Sequence, residues 1–199
     1  MYGAVEFQSK AKDFGIKTII GAEIYVCKDL HSKNNTTEDR RRHQLVLLVQ
    51  NETGYKNLMK IISIAQLEGF YYKARADKDL LRQYHEGLIA LSGSLQGEVP
   101  SEIIYGNHER AKAAALEYQD IFGKDNFYLE LGPNFEYENQ MIANQGLIQV
   151  SRETGIPLVA ASDVHYVKRE HAEVQDILLC IRDNKKVTDI ERFSMMALD

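Results

Sequence analysis

The sequence predicts an α/β fold in which strands and helices alternate along one domain. Short apolar runs such as HQLVLLV at 43–49 predict buried strands, whereas the longer segments between such runs carry apolar residues at helical spacing. A chain of 199 residues, 44% of them hydrophobic, is long enough to bury one core. Strands separated by helices predict parallel pairing through right-handed crossovers. A closed β/α barrel and an open doubly wound sheet both satisfy this pattern.

The first half of the chain begins with a predicted helix and not with a strand. Apolar residues between Val5 and Phe14 have helical spacing, and Gly15 is positioned to end this helix. Asn51 is positioned to cap a later helix. The predicted elements are, in order, helix 4–14, strand 18–27, a polar loop at 28–42, strand 43–49 and a helix that starts after residue 51.

The second half repeats the alternation of helices and strands. Gly123 is positioned to end a long helix. The run Pro157–Ala161 is apolar on both faces, which predicts a strand covered by helices on either side. The predicted elements are helix 77–83, strand 87–91, helix 107–122, strand 126–131, helix 136–154, strand 157–161 and helix 169–181.

Composition excludes several classes of protein. The net charge of −5 leaves no basic surface for a phosphate backbone, so direct DNA binding by this segment is not expected. No apolar run reaches membrane-spanning length, and the first residues lack the features of an export signal. Cys27 and Cys180 lack a metal-clip spacing, which predicts buried free thiols in a reducing compartment. We therefore expect a cytoplasmic protein with no membrane association.

The segment IPLVAASDVHY at 156–166 places two metal-competent side chains at the end of a predicted strand. In an extended strand end, Asp163 and His165 would point the same way because side chains alternate between faces. The carboxyl ends of strands are where α/β enzymes keep their sites. The alternative is that both residues are structural. An aspartate after a strand commonly forms a turn or caps a helix, and a histidine next to Tyr166 can serve as an ordinary packed side chain.

Glu23 and His43 are the other candidates for chemistry. Glu23 lies within the apolar strand IIGAEIYVC, where a buried carboxylate needs either a cation or a buried arginine. His43 opens a strand after three arginines, at a predicted strand mouth, although strand-end histidines are ordinary. With Asp163 and His165 they form an oxygen and imidazole set that suits zinc or manganese. Because no phosphate-binding loop or serine-nucleophile motif occurs, metal-assisted hydrolysis is the chemistry indicated.

Several long stretches resemble one known family. They are MYGAVEFQSKAKDFGIKTIIGAEIYV, HQLVLLVQNETGYKNLMKIISIAQLEGFYYKARADKDLL, EGLIALSGSLQGEVP, FGKDNFYLEL and GIPLVAASDVHYVKREHAEVQDILLCI, which follow the family order along nearly the whole chain. The chain resembles the PHP (polymerase and histidinol phosphatase) domain at the amino end of the alpha subunit of bacterial DNA polymerase III. The resemblance implies a distorted β/α barrel with a metal cluster at the strand ends.

The resemblance also implies roles for particular residues. The family's glutamate, its following histidine and its terminal Asp-x-His motif fall on Glu23, His43, Asp163 and His165. Ser94 stands where metal-binding members carry cysteine, and a neutral hydroxyl is a much poorer ligand than a thiolate. The family's earlier metal motifs fall upstream of the first residue. The chain is therefore expected to be a fragment whose barrel is incomplete at its N-terminal strand.

For the parent protein, the resemblance implies a DNA-directed DNA polymerase of chromosomal replication, a nucleotidyltransferase whose Mg²⁺-binding residues lie beyond residue 199. Residues 183–199 would begin the connection to that polymerase module. The implied partners are the proofreading exonuclease subunit, other replicase subunits, and DNA bound through the rest of the parent protein.

Three functions of the segment itself remain open. A PHP domain with a degraded metal site would be mainly structural and partner-binding, which Ser94 favours. A working Zn²⁺ or Mn²⁺ site would instead make it a metal-dependent phosphoesterase or 3′–5′ exonuclease. The third is a free-standing phosphatase of the histidinol-phosphate type, for which the segment EGFYYKARADKDLL at 68–81 offers no support.

Overall fold

The computed structural model describes residues 3–133 and 138–194, which form a six-stranded sheet with helices packed against it. The strands are β1 (Gly21–Cys27), β2 (His43–Val49), β3 (Arg75–Asp77), β4 (Leu88–Leu91), β5 (Phe127–Leu131) and β6 (Leu158–Ala160). The helices are α1 (Ala4–Asp13), α2 (Thr37–Arg40), α3 (Glu52–Leu67), α4 (Lys78–Tyr84), α5 (Glu98–Ile104), α6 (His108–Phe122), α7 (Glu138–Thr154) and α8 (Ala172–Asp183). A single 3₁₀ turn (Arg169–His171) precedes α8.

The sheet is mixed, so the α/β class is confirmed whereas the prediction of wholly parallel pairing is wrong. The strand order is β3-β1-β2-β4-β5-β6, and β2 is antiparallel to both β1 and β4. The other pairs are parallel. Residues 28–42 carry only the one-turn helix α2, and the chain therefore re-enters β2 at the rim where it left β1. Among the described residues, β3 and β6 are the two edges and the sheet does not close.

Local sequence signals set three helix ends where they were predicted. The side chain of Asn51 accepts a hydrogen bond from the Gly54 N–H at 3.0 Å and so caps α3. Gly15 follows α1 with φ +66°, and Gly123 ends α6 with φ +92°. These are backbone conformations that glycine adopts without a steric penalty.

The predictions differ from the structure at short elements, at strand ends and at the last helix, which was predicted over 169–181 and is α8 at Ala172–Asp183. The predicted loop at 28–42 contains α2, and neither β3 nor α5 was predicted, because three to seven residues carry too little periodicity. Strand β1 begins at residue 21 and not at 18. Positions 136 and 137, where the helix now called α7 was predicted to start, lie outside the described residues.

The two faces of the sheet differ in burial. Helices α3, α6 and α7 cover one face, here called the helix face. This face buries Ile24, Val26, Leu45, Leu47, Leu88, Ala90, Phe127 and Leu129. The other face, here called the open face, carries the alternating residues Glu23, Tyr25, Gln44, Val46, Ile89, Leu91, Tyr128 and Glu130, which are exposed or only partly buried.

Strand β6 is less covered than predicted. Leu158 is 38% exposed and Ala160 is also exposed, so the prediction that helices bury both faces of this strand is wrong. The reason is position: β6 pairs only with β5 and lies at an edge.

Cys27 and Cys180 are buried free thiols, as predicted. No helix in the described part of the chain combines the length and the apolar character needed to cross a membrane.

Candidate metal site at the sheet rim

The candidate site lies at one rim of the sheet, where five strands end and the sixth begins. The carboxyl ends of β1, β3, β4, β5 and β6 meet the amino end of β2 at this rim, since β2 alone runs in the opposite direction. Asp163 and His165 follow β6, and Ser94 follows β4. Side chains that are distant in sequence can therefore meet at this rim.

Asp163 and His165 contact each other beyond β6. The distance between His165 Nε2 and Asp163 Oδ1 is 3.3 Å, so the structure brings this predicted pair together. Strand alternation is not the reason, because Asp163 has φ +44°, in the left-handed region that aspartate tolerates better than most residues. The positive φ at Asp163 interrupts the extended backbone, and the two side chains meet across Val164.

Glu23 lies on the open face of β1 and is joined to a neighbour that the sequence did not single out. Gln44 is paired with Tyr25 in the β1–β2 register and therefore shares the face of Glu23. Its Nε2 donates to Glu23 Oε1 at 2.9 Å. The expectation that Glu23 is buried is wrong, because no helix of residues 3–133 and 138–194 covers the open face at this position and Glu23 is exposed.

The electrostatics of Glu23 show which charges lie near it. Partial desolvation by its neighbours raises the pKa of Glu23, the carboxylate of Asp163 raises it further, and His165 acts in the opposite direction. The structure therefore brings Glu23, Asp163 and His165 into one neighbourhood.

His43 is not part of that neighbourhood, so the expectation that the four predicted residues converge is wrong for it. His43 pairs with Val26, which places its side chain on the helix face. There it lines a pocket of about 380 Å³ together with Lys78 and Glu98. Burial lowers the pKa of His43, and Glu98 opposes that shift. Strand alternation explains the separation, because neighbouring residues of β2 face opposite sides of the sheet.

Glu130 is a site residue that the sequence reasoning missed. It lies on the open face of β5, and its backbone N–H donates to Ser92 Oγ at 2.9 Å. Its Oε2 is buried without a hydrogen-bond partner, which is true of no other buried side-chain nitrogen or oxygen in residues 3–133 and 138–194. Burial raises the pKa of Glu130, and the charges of Asp163 and Glu23 raise it further. The alternation in FYLEL, with Phe127 and Leu129 buried, is the signal that places Glu130 on the other face.

Ser94 completes a short chain of hydrogen bonds. Its hydroxyl donates to Gln44 Oε1 at 2.6 Å, and Gln44 in turn donates to Glu23. The three side chains, here called the Ser94–Gln44–Glu23 chain, connect the loop after β4 to β2 and β1. Two of its three members, Ser94 and Gln44, are uncharged.

A family model described as "PHP domain" matches residues 1–134. The chain belongs to the PHP domain family. Its curated relatives include the proteins named DNA polymerase III subunit alpha of Borreliella burgdorferi, Treponema pallidum and Thermus aquaticus, which are 45%, 42% and 40% identical to it. These matches cover 98%, 96% and 97% of this chain but only 16–17% of the length of the relatives.

Membership of the PHP family implies a bound metal ion. The side chains present at the rim fit a transition metal poorly. His165 is the one imidazole in the cluster, and the neighbouring positions 44 and 94 supply an amide and a hydroxyl, which bind zinc weakly. One oxygen of Glu23 already accepts a hydrogen bond. Within the described ranges, no group of three His, Cys, Asp or Glu side chains is arranged to hold a metal ion.

Replacing Glu130 with glutamine is expected to raise the free energy of unfolding by about 1 kcal/mol near pH 7, because a partly buried carboxylate with an unpartnered oxygen becomes neutral. A raised folded-state pKa means that this PHP domain loses stability as pH rises from the ordinary carboxyl value through the folded value. The gain should therefore vanish near pH 4. Urea unfolding at both pH values measures it, with the exposed Glu86→Gln as control. A clear loss of stability near pH 7 would contradict this prediction and would show that the surroundings stabilise the charged carboxylate, through its hydrogen bond with the Gly93 backbone or through a bound cation.

Proposed function

We propose that this PHP domain is part of the alpha subunit of a bacterial DNA polymerase III, the DNA-directed DNA polymerase of chromosomal replication, and works in the cytoplasm. The names of the relatives support this, since identities of 40–45% extend over 96–98% of the chain. Nucleotide transfer and its Mg²⁺ ions belong, in this proposal, to the remainder of the relatives' length.

Within that subunit, the domain acts mainly as a structural and partner-binding element. The Ser94–Gln44–Glu23 chain carries this part of the proposal, because it fills the neighbourhood of Glu23 with neutral groups where a hydrolase needs strong metal ligands. Asp163 and His165 also contact each other and so satisfy part of their own bonding capacity.

The proposed partners are the proofreading exonuclease subunit and other replicase subunits, with DNA bound elsewhere in the parent protein. Helix α8 supports a role in protein contacts, since its apolar residues Val174, Ile177, Leu178 and Ile181 are 49–71% exposed. They recur at helical spacing and so form one face. The net charge of −5 argues against a direct grip on DNA by this domain.

A second candidate function is metal-dependent phosphoesterase or 3′–5′ exonuclease activity. The proximity of Glu23, Glu130, Asp163 and His165 favours it, because carboxylates and imidazole are ligands of manganese. A free-standing histidinol phosphatase is less favoured, since the relatives named above are polymerase subunits.

The test uses the complete protein that carries this sequence, with and without Asp163→Ala. We expect hydrolysis of bis(p-nitrophenyl) phosphate and of 3′-labelled DNA to stay at background in both proteins when Mn²⁺ or Zn²⁺ is supplied. DNA synthesis by the variant should stay within about twofold of the unmodified protein, because Asp163 is not assigned to nucleotide transfer.

The exposed Asp125→Ala serves as the matched control. Hydrolysis that is well above background and falls about tenfold or more in Asp163→Ala alone would contradict the structural assignment and favour the phosphoesterase.

A further inference from the structure

We propose that Gln44 and Ser94 are the residues that keep zinc out of this site, and that replacing both with histidine and cysteine creates a zinc site on the open face. The inference deepens the proposed function and depends on it, because it explains why the PHP domain is structural. Positions 44 and 94 would thus determine metal specificity, and Gln44 has no sequence signal of its own.

The orientation of Gln44 follows from its two neighbours. A carboxylate can only accept hydrogen bonds, so the amide nitrogen must face Glu23, where the Nε2 to Oε1 distance is 2.9 Å. The amide oxygen then faces Ser94 and accepts its hydroxyl proton at 2.6 Å. An N–H group directed at Glu23 stands where a cation would have to approach that oxygen. The amide therefore both fails to bind a cation and engages one of the oxygens that would bind it.

The backbone holds positions 44 and 94 close together independently of their side chains. The Gln44 N–H donates to the carbonyl of Gln96 at 3.0 Å. Gly93 has φ +78°, and a Cβ there would lie 2.7 Å from the Gln44 carbonyl oxygen, so the loop after β4 passes directly against β2. New side chains at positions 44 and 94 would therefore emerge side by side, next to Glu23.

The proposed replacement exchanges two groups that bind zinc weakly for two that bind it tightly. Histidine and cysteine at positions 44 and 94 would add an imidazole nitrogen and a thiolate to the carboxylate of Glu23. The amide hydrogen that now faces Glu23 would be gone. Either Asp163 or His165, whose charges already act on Glu23, would supply the fourth ligand of a four-coordinate site.

His43 cannot supply the missing imidazole, although it is adjacent in sequence. Its side chain lies on the helix face, beside Glu98, whereas Glu23 and Gln44 lie on the open face. A histidine at position 43 is thus on the wrong side of β2, and one at position 44 is on the correct side.

The experiment measures metal in the complete protein with Gln44→His and Ser94→Cys combined. After incubation with zinc and dialysis, we expect the double variant to retain about one additional zinc per chain and to bind it about 100-fold more tightly than the unmodified protein. Cobalt(II) in its place should give a near-ultraviolet thiolate charge-transfer band. Adding His43→Gln to the double variant should leave both signals unchanged.

A circular dichroism melt accompanies each protein. Where the double variant does not fold, the two single variants are used. Zinc should slow alkylation of the introduced thiol in Ser94→Cys and should bind about tenfold more tightly to Gln44→His than to the unmodified protein. The absence of both effects in folded single variants would also overturn this inference. The same weak binding in the double variant and the unmodified protein, or zinc gained without a thiolate band, would overturn this inference and leave the proposed function standing. Stoichiometric zinc in the unmodified protein would overturn the proposed function itself.

Discussion

Replacing Arg75 with methionine is expected to lower the free energy of unfolding by about 3–5 kcal/mol. Arg75 is 1% exposed, and its guanidinium donates to the carbonyl oxygens of Gly69, Asp39, Leu30 and Ser32 at 2.6–3.3 Å. Removing these donors leaves buried carbonyl groups unsatisfied. Three of the four carbonyl groups belong to the loop between β1 and β2. The conformation of this loop therefore depends on one side chain of β3.

Urea unfolding of the complete protein, followed by a signal from this domain, measures the change. Arg110→Met, on the exposed side of α6, is the control and should change the free energy by about 0.5 kcal/mol or less. Arg75→Lys should recover only part of the loss, because one ammonium group cannot reproduce the planar fork of donors. A loss below about 1 kcal/mol for Arg75→Met would show that water satisfies these carbonyl groups.

Replacing Gly54 with alanine is expected to destabilise the fold by about 3 kcal/mol or more, because there is no room for a methyl group. A Cβ on Gly54 would lie 1.8 Å from the carbonyl oxygen of Gly87. Gly87 itself has φ +74°, and a Cβ there would lie 2.4 Å from Asn51 Oδ1. The first turn of α3 thus packs directly against the turn before β4, backbone against backbone.

The matched control is Gly106→Ala, which separates steric overlap from backbone strain. Gly106 has φ +77°, and no atom lies within 4 Å of the position that a Cβ would occupy there. Only the conformational penalty therefore applies, and the loss should be about 1 kcal/mol. Thermal melts of both variants give the comparison. Equal losses at the two positions would mean that the turn before β4 moves to admit the methyl group.

Most helices and the strands β2, β4 and β5 follow from residues within each element. Asn51 acts locally through one side-chain hydrogen bond, and Gly123 through one backbone conformation. Such local effects can be predicted from the sequence. The direction of β2 is not readable in this way. It depends on the conformation by which the loop at 28–42 returns the chain to the end of β1. Arg75, which lies more than thirty residues further along the chain, holds that conformation.

The same distinction separates the site residues that were predicted from those that were missed. Asp163 and His165 stand out because polar residues end an apolar run, and Glu23 because it interrupts one. Gln44 and Glu130 have no such signal of their own. They become visible once the two faces are assigned, because Leu45 and Leu129, each next to one of them, are buried on the helix face. The same alternation places His43 on the helix face, away from the site.

The metal content of the complete protein tests the central claim most directly. The protein is equilibrated with zinc and manganese, dialysed and analysed by elemental mass spectrometry, beside its Asp163→Ala variant. The Ser94–Gln44–Glu23 chain predicts far less than one transition-metal ion per chain in both samples. One tightly held ion per chain in the unmodified protein, absent from the variant, would contradict the account.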